Sequence, residues 1–305
     1  MSDVLVTGAS GFIGTHVLAR LGQGGDTVHA VSRSGAPPAG VEAKGCHWHA
    51  CDLLQPAAAA ELLRAVRPTH LLHLAWYAVP GRYLTAPENF AWARASLELL
   101  EAFQAVGGRR AVVAGSCVEY DWSHGLCSEE DTPRSYAQPY PACKNALREL
   151  LAAFAISTGM GWAWGRVFFL YGPHEPPGKL VASVINSLLA GEPAQCTEGS
   201  QRRDFLHVQD VADALVALLR SDFDGVVNIA SGTAVSVKDL VTTIGRIMGR
   251  PELIHIGARA APPEPPLVVA DTARLNRIIG WRPQLGLEQG LADAVDWWRT
   301  QRQSA

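Results

Sequence analysis

The eight residues Thr7-Gly8-Ala9-Ser10-Gly11-Phe12-Ile13-Gly14 lie between an apolar run, Val4-Leu5-Val6, and a segment of helical spacing, Phe12 to Leu21. Three glycines at a strand-to-helix junction limit the choice of fold more than any other feature of this chain. Gly8 permits a tight turn, Gly11 lets the backbone approach a pyrophosphate, and Gly14 lets the helix pack closely on a sheet. The free N–H groups at the helix start then face the phosphates. Beyond this turn the chain alternates. Val28 to Val31, His70 to Leu74, Arg110 to Ala114 and Trp162 to Leu170 read as strands, while Glu61 to Val66, Phe90 to Val106 and Tyr140 to Thr158 read as helices. Continuous apolar strands separated by helices predict parallel strands buried on both faces. The expected class is α/β, with a doubly wound parallel sheet.

After Leu170 the texture changes. Gly172-Pro173 and Pro176-Pro177-Gly178 interrupt regular structure. A helix is expected over Val181 to Ala190 and a strand over Val226 to Ile229. Closing helices are expected over Asp271 to Ile279 and Leu287 to Trp298, with a Pro-rich irregular loop at Ala260 to Pro266. The division expected is a nucleotide-binding domain of residues 1–168 plus about 204–232, and a smaller discontinuous α/β substrate-binding part of about 169–203 plus 233–305. A single compact domain is the alternative, and 305 residues suffice for either.

Composition excludes several classes. With 26 basic and 29 acidic residues the formal charge is −3, so there is no bulk attraction for nucleic acid or an anionic membrane. Any anionic ligand needs a local site. No apolar run reaches the length of a membrane-spanning helix, and the start of the chain lacks a signal-peptide pattern. The six cysteines, at 46, 51, 117, 127, 143 and 196, are scattered without CxxC spacing. That usage fits a reducing cytoplasm. His47, Trp48 and His49 sit near Cys46 and Cys51, but alternation along a strand divides neighbours between two faces, so no metal site is expected.

An acidic residue at the end of the second strand would hold a ribose 2′-hydroxyl and repel a 2′-phosphate. Here the chain reads Val31-Ser32-Arg33-Ser34. Arg33 with two serines suits a phosphate through charge-assisted bonds, so NADP is the expected cofactor and NAD the alternative. A solvated loop arginine is the other reading of Arg33. Asp52 either accepts from the adenine amino group or caps a helix.

Tyr140 and Lys144 stand at i and i+4, on one face of a helix. A free phenol, with pKa about 10, is a poor acid–base group at neutral pH. A nearby ammonium and a cationic nicotinamide both favour the phenolate. Tyr140 can then exchange a proton with a substrate oxygen while hydride moves at the adjacent carbon. Ser116, after the strand Arg110 to Ala114, is placed to hydrogen-bond the same oxygen.

Taken in order, several segments resemble the extended short-chain dehydrogenase/reductase family, its nucleotide-sugar epimerase, dehydratase and reductase group. They are TGASGFIG at 7–14, Cys51-Asp52-Leu53, His73-Leu74-Ala75, Gly115-Ser116 ahead of Tyr120, YPACK at 140–144 and Arg166 through Tyr171-Gly172-Pro173. The run Arg203 to Ala212, Asn228-Ile229-Ala230 and Gly280-Trp281-Arg282-Pro283 complete the set. The resemblance spans nearly the whole chain. It implies a Rossmann cofactor domain, a small C-terminal substrate domain and a catalytic set of Ser116, Tyr140 and Lys144. It also implies a homodimer formed through Phe90 to Val106 and Tyr140 to Thr158. The cofactor-lining positions it implies are Gly8, Ser10, Gly11, Phe12, Ile13, Gly14, Ser32, Arg33, Ser34, Asp52, Leu53, Leu74, Ala75 and Trp76, with Tyr140 and Lys144. For the substrate they are Cys117, Phe169, Lys179 and Arg203.

The departures narrow the activity. The Asp-Glu pair that follows the triad hydroxyl in sugar 4,6-dehydratases is Cys117-Val118 here, which argues against dehydration. The family's Asn ahead of the serine strand falls at Trp92, with Asn89 one turn earlier. The Asn after R-x-F is Phe169, and Arg259 matches a diphosphate ligand only loosely, whereas Arg203 matches well. The expected activity is an NADP(H)-dependent reductase of a nucleotide-activated 4-keto-(6-deoxy)sugar, with hydride transfer at carbon 4. The alternatives are a 4-epimerase that retains its cofactor, a reductase of a small non-nucleotide carbonyl compound, and an NADP-binding sensor without turnover. Trp76, Tyr77, Arg82 and Tyr83 either line the sugar pocket or pack its rim. His124 is expected at the surface, Glu129 to Asp131 in a solvated turn, and Trp297 and Trp298 in helix-face packing.

Overall fold

A computed structural model describes residues 2–41, 45–261 and 263–303. Pro262, within the Pro-rich stretch, lies outside the described residues. The first half runs β1 (Asp3–Thr7), α1 (Phe12–Leu21), β2 (Thr27–Ser32), β3 (Cys46–Ala50), α2 (Ala58–Val66), β4 (His70–His73), α3 (Glu88–Ala105) and β5 (Arg110–Ser116). Then come β6 (Leu126–Cys127), α4 (Pro139–Thr158), β7 (Gly161–Val167), β8 (Phe169–Tyr171), α5 (Leu180–Ala190), β9 (Ala194–Gln195), β10 (Arg202–His207) and α6 (Val208–Arg220). The chain closes with β11 (Gly225–Ile229), β12 (Ala234–Ser236), α7 (Val237–Met248), β13 (Ile254–His255), β14 (Leu267–Ala270), α8 (Ala273–Arg277) and α9 (Leu287–Gln303).

Seven strands form one parallel sheet in the order β11-β7-β5-β4-β1-β2-β3. The chain leaves β1 toward β2 and β3, then resumes on the other side with β4. The C-terminal ends of β1 and β4 therefore flank the switch point, where open α/β sheets bind ligands. Alternation along β1 sends Val4 and Val6 into the core under α1 and α6, and Leu5 into the core under α2, α3 and α4. A smaller sheet has the order β12-β10-β14-β6, with β8 added beside β10. Helices α5, α7 and α9 enclose a third core around Ile185, Leu240, Ile244 and Leu291. This is the α/β architecture expected, a doubly wound Rossmann-like sheet with a second α/β layer.

Two details depart from the sequence reading. The apolar run Trp162 to Leu170 is two strands, broken at Phe168. β7 stays in the parallel sheet, and β8 crosses to pair with β10. The helix expected over Asp271 to Ile279 is only Ala273–Arg277, because Asp271 Oδ1 accepts from the Ala273 N–H at 2.8 Å and turns the chain there. Alternation holds along β3, where Cys46 and Trp48 pack into the core and His47 and His49 take the other face. The two histidines share that face with His29 of β2, whose Nδ1 lies 2.9 Å from His49 Nε2. Among the described residues no group of three or more His, Cys, Asp or Glu is arranged to hold a metal ion, and no helix is long and apolar enough to cross a membrane.

The second sheet depends on a buried carboxylate. Asp204 of β10 accepts from Ser231 N at 2.8 Å, Ser231 Oγ at 2.6 Å, Gly232 N at 2.9 Å and Ala270 N at 3.2 Å. It thereby joins β10, β14 and the turn after β11. Asp204→Ala strands these donors in the interior and is expected to lower unfolding stability by about 3 kcal/mol. Denaturant titration of the purified variant measures the loss.

Candidate active site

The glycine turn lies at the end of β1. Gly8 adopts a left-handed backbone, φ +68°. A Cβ on Gly14 would come within 2.2 Å of the Gly8 carbonyl oxygen and 2.8 Å of Ala9 Cα, so only glycine lets α1 start so close to β1. The helix has Gly11 at its N-cap with no side-chain cap, while Ser10 and Gly11 are exposed. An uncapped helix N-terminus over an open glycine cradle fits a pyrophosphate. Phe12 and Ile13 are half-buried beside it. Ser32 at the end of β2 is buried, accepts from Gly35 N at 3.0 Å and lies 3.3 Å from Ser34 Oγ. Arg33 between them is exposed, and none of the described residues pairs with it. Asp52 does not cap a helix. Its Oδ1 accepts from Leu54 N at 3.1 Å in a turn ahead of α2, and Leu53 is buried. Leu74 and Ala75, tied to Thr7 by their N–H groups, complete this edge.

Ser116, Tyr140 and Lys144 meet where β5 ends against α4. Ser116 caps the turn Cys117–Glu119, its Oγ accepting from Val118 N at 3.3 Å. Gln138 precedes α4, and Pro139 and Pro141 frame Tyr140 in the first turn. Tyr140 is half-buried. Burial pushes its phenol above the ordinary value, with Tyr83 and Glu119 acting the same way and the Ser116 hydrogen bond opposing them. The phenol is therefore neutral as the site stands, and the lysine expected to favour the phenolate is not what sets it. Lys144 is buried, and its Nζ donates to the Ala114 carbonyl at 2.7 Å. Burial lowers its pKa to about 7, with Glu119 acting to raise it.

An aromatic wall covers these groups. Lys144 Nζ lies 3.9 Å from the centre of the Trp76 ring. Trp76 meets Tyr140 edge-on at 6.3 Å, and Tyr83 does so at 5.0 Å. Lys179, exposed ahead of α5, places Nζ 5.5 Å from the Tyr83 ring. Asn89 holds this wall in place. Fully buried, it accepts from Trp76 Nε1 at 2.7 Å and donates to the carbonyls of Tyr83 and Ala86 at 2.7 and 2.8 Å. In the sequence Asn89 shows only as a displaced family asparagine. The signal available there is a single amide at the start of a helix, behind a loop containing Pro and Gly.

Of the other substrate positions, Phe169 and Arg203 lie on the second sheet and Cys117 in the turn after β5. Cys117 is buried, its thiol pushed up by burial. Phe169 packs between Trp122 and Phe205 at 5.8 and 5.9 Å. Arg203 is 3 % exposed and already engaged, donating to Glu264 at 2.8 Å and to the Arg202 and Pro265 carbonyls at 2.9 Å. Glu129, expected in a solvated turn, is half-buried and accepts from Asn228 N at 2.8 Å. His124 is exposed, and Trp297 packs on His174 at 4.6 Å. Glu119, three residues after Ser116 at capping-box spacing, is fully buried beside Ser116, and Arg166 pairs with it at 2.7 Å.

Known proteins resemble this chain in sequence and fold. The chain is 26% identical over 320 residues to UDP-glucose 4-epimerase of Streptomyces lividans, covering 96% of this chain and 95% of that protein. The Thermus thermophilus UDP-glucose 4-epimerase, solved with NAD, superposes with a TM-score of 0.84 at 27% identity, over 97% and 98% of the two chains. MoeE5, solved with UDP-glucose and NAD, superposes at 0.84 with 32% identity, over 98% and 99%. The model of the NAD dependent epimerase/dehydratase family matches residues 4–230. Since that match takes in the whole parallel sheet as well as the end of β5, the chain belongs to the NAD dependent epimerase/dehydratase family, in the extended short-chain dehydrogenase/reductase group.

Proposed function

We propose that this chain is a nucleotide-sugar 4-epimerase that works on a retained nicotinamide cofactor. The observation that carries the reading is the convergence of Ser116, Tyr140 and Lys144 beside the glycine turn, with buried Cys117 and Val118 where a dehydratase would need two acids. Such a site supports removal and return of hydride at a carbinol carbon without elimination of water. The curated and solved relatives named as UDP-glucose 4-epimerases support epimerisation over the 4-keto reduction expected from the sequence.

When bound, the nicotinamide supplies the hydride acceptor and donor. Gly8 to Gly14 would hold the pyrophosphate, Ser32, Arg33 and Ser34 the adenosine ribose, Asp52 and Leu53 the adenine, and Leu74, Ala75 and Trp76 the remaining edge. Ser116 holds the sugar oxygen by a hydrogen bond. With a cationic nicotinamide bound beside it, Tyr140 would be ionised, and as the phenolate would take the proton from that oxygen and later return it. Lys144, anchored on Ala114, offers the positive charge that stabilises a phenolate in a buried setting. Arg203 and Lys179 carry the cationic side of the sugar-nucleotide site, with Cys117 and Phe169 as its walls. Residues 1–168 and about 204–232 make up the cofactor unit on this reading, and the rest the substrate unit. Phe90 of α3 and Leu150 and Ile156 of α4, 61%, 50% and 81% exposed, support dimerisation through these helices. One observation favours a second reading, an NADPH-consuming 4-keto reductase. The end of β2 presents exposed Arg33 between two serines and no carboxylate.

Denaturing fresh protein and identifying the released nucleotide separates the two. Near-stoichiometric NAD supports the epimerase, whereas an empty protein that binds NADPH better than NADH supports the reductase. With UDP-glucose as first substrate, inversion at carbon 4 is expected by proton NMR. Tyr140→Phe is expected to lower kcat by about 100- to 10,000-fold while folding and cofactor content persist. Ile156→Glu is expected to convert a dimer to monomer in sedimentation velocity.

A further inference from the structure

Glu119 takes no part in that chemistry, yet its carboxylate is fully buried at the end of β5. The bonds of its carboxylate all hold the end of β5 and the β7 beside it. Oε1 accepts from Ser116 N at 2.7 Å, and both oxygens lie 3.0 Å from Trp164 Nε1. Oε2 accepts from Arg166 Nε at 2.7 Å. The Glu119 carbonyl accepts from Asn145 Nδ2, on the residue after Lys144, at 3.1 Å. One residue thus joins β5, β7 and α4. Lys144 closes the other side. Its Nζ holds the Ala114 carbonyl and lies 5.7 Å from the centre of the same Trp164 ring. Ammonium and carboxylate flank one indole and grip β5 two residues apart.

The charges around Lys144 leave Glu119 a specific task. From β4, buried His73 is driven down to about 3 by burial, with Lys144 adding to the effect, so it is neutral. Tyr140 on α4, Tyr83 in the loop and Cys117 in the turn are all pushed upward by burial and stay neutral. Trp76 and Trp164 contribute ring faces. Arg166 of β7 is bound to Glu119 itself. Against the desolvation of Lys144, the opposing influence is the Glu119 charge.

Taking Tyr140 and Lys144 as the proton-transfer pair, we propose that Glu119 is a positioning residue that keeps Lys144 charged and locks Ser116 and Lys144 in register on β5. The chain has only four lysines, at 44, 144, 179 and 238, so lysine labelled with 13C at Cε gives a spectrum simple enough to titrate. Loss of one signal in Lys144→Arg assigns it. In Glu119→Gln the Lys144 midpoint is expected to fall by about one pH unit while the other lysines stay put. Turnover at pH 7 is expected to fall several-fold through kcat, with KM little changed. Glu119→Asp, which keeps the charge, is expected to recover most of the midpoint. Because glutamine leaves Arg166 buried without its anion, Glu119→Gln/Arg166→Met, with neither charge, is titrated alongside. A Lys144 midpoint at the wild-type value in either folded variant overturns the proposal, whatever happens to turnover. Turnover that survives Tyr140→Phe overturns the underlying reading instead, and the lysine titration, which needs no substrate, still decides the role of Glu119 separately.

Discussion

The ion pair between Glu119 and Arg166 is the interaction on which the site's geometry hangs. Both side chains are out of water, 0% and 1% exposed, and Arg166 lies 4.3 Å from the Tyr120 ring centre. A buried pair of this kind adds little net stability, because desolvation of both charges offsets their attraction. What it supplies is geometry. A carboxylate saturated by Ser116, Trp164 and Arg166 has one low-energy position, so the turn after β5 cannot drift. A hydrophobic replacement would pack as well but would leave the Ser116 N–H unbonded and the turn free to move.

The family motifs turn out to be mostly joints. Asp204 gathers four donors from two other segments, and Asp210 accepts from Gln284 and Leu285 N–H groups at 3.0–3.2 Å. Asn228 bonds Tyr120, Cys127 and Asp271, and Trp281 donates to Asp213 at 2.9 Å. These residues stand out in the sequence because polar groups placed in a core must be paired, and each pairing fixes two distant segments at once. A reader of the sequence meets the same letters whether they hold a ligand or a loop. Position in the chain reveals the fold, while the role of each letter needs its partner.

That difference explains what was legible. The parallel sheet could be read because its strands are apolar throughout and its turn glycines have no substitute. Tyr140 and Lys144 could be read because helical spacing alone puts them together. β10 escaped periodicity because its buried Arg203, Asp204 and His207 break the apolar pattern, and the break at Phe168 was hidden inside one apolar run. The wall of Trp76, Tyr83 and Asn89 was legible only in part, as Trp76 and Tyr83 near the pocket without Asn89. Its members come from a loop and a helix start, and only the fold carries Tyr83 to Tyr140 and Trp76 to Lys144. The sequence shows Glu119 only as a capping-box partner of Ser116, since Trp164 and Arg166 lie 45 and 47 residues away in β7.

Arg203 shows how the second sheet constrains the chemistry. Its guanidinium is nearly buried, and its one ionic partner is Glu264, itself 42% exposed at the side chain. A cation held by a half-solvated carboxylate keeps its charge without water and gives up that partner more easily than a buried one. A nucleoside diphosphate, with more charge and more acceptors, can displace a single exposed carboxylate while the Arg202 and Pro265 carbonyls keep the guanidinium aimed. On the nucleotide-sugar reading, the arginine proposed for the diphosphate is therefore oriented by backbone carbonyls before any substrate arrives.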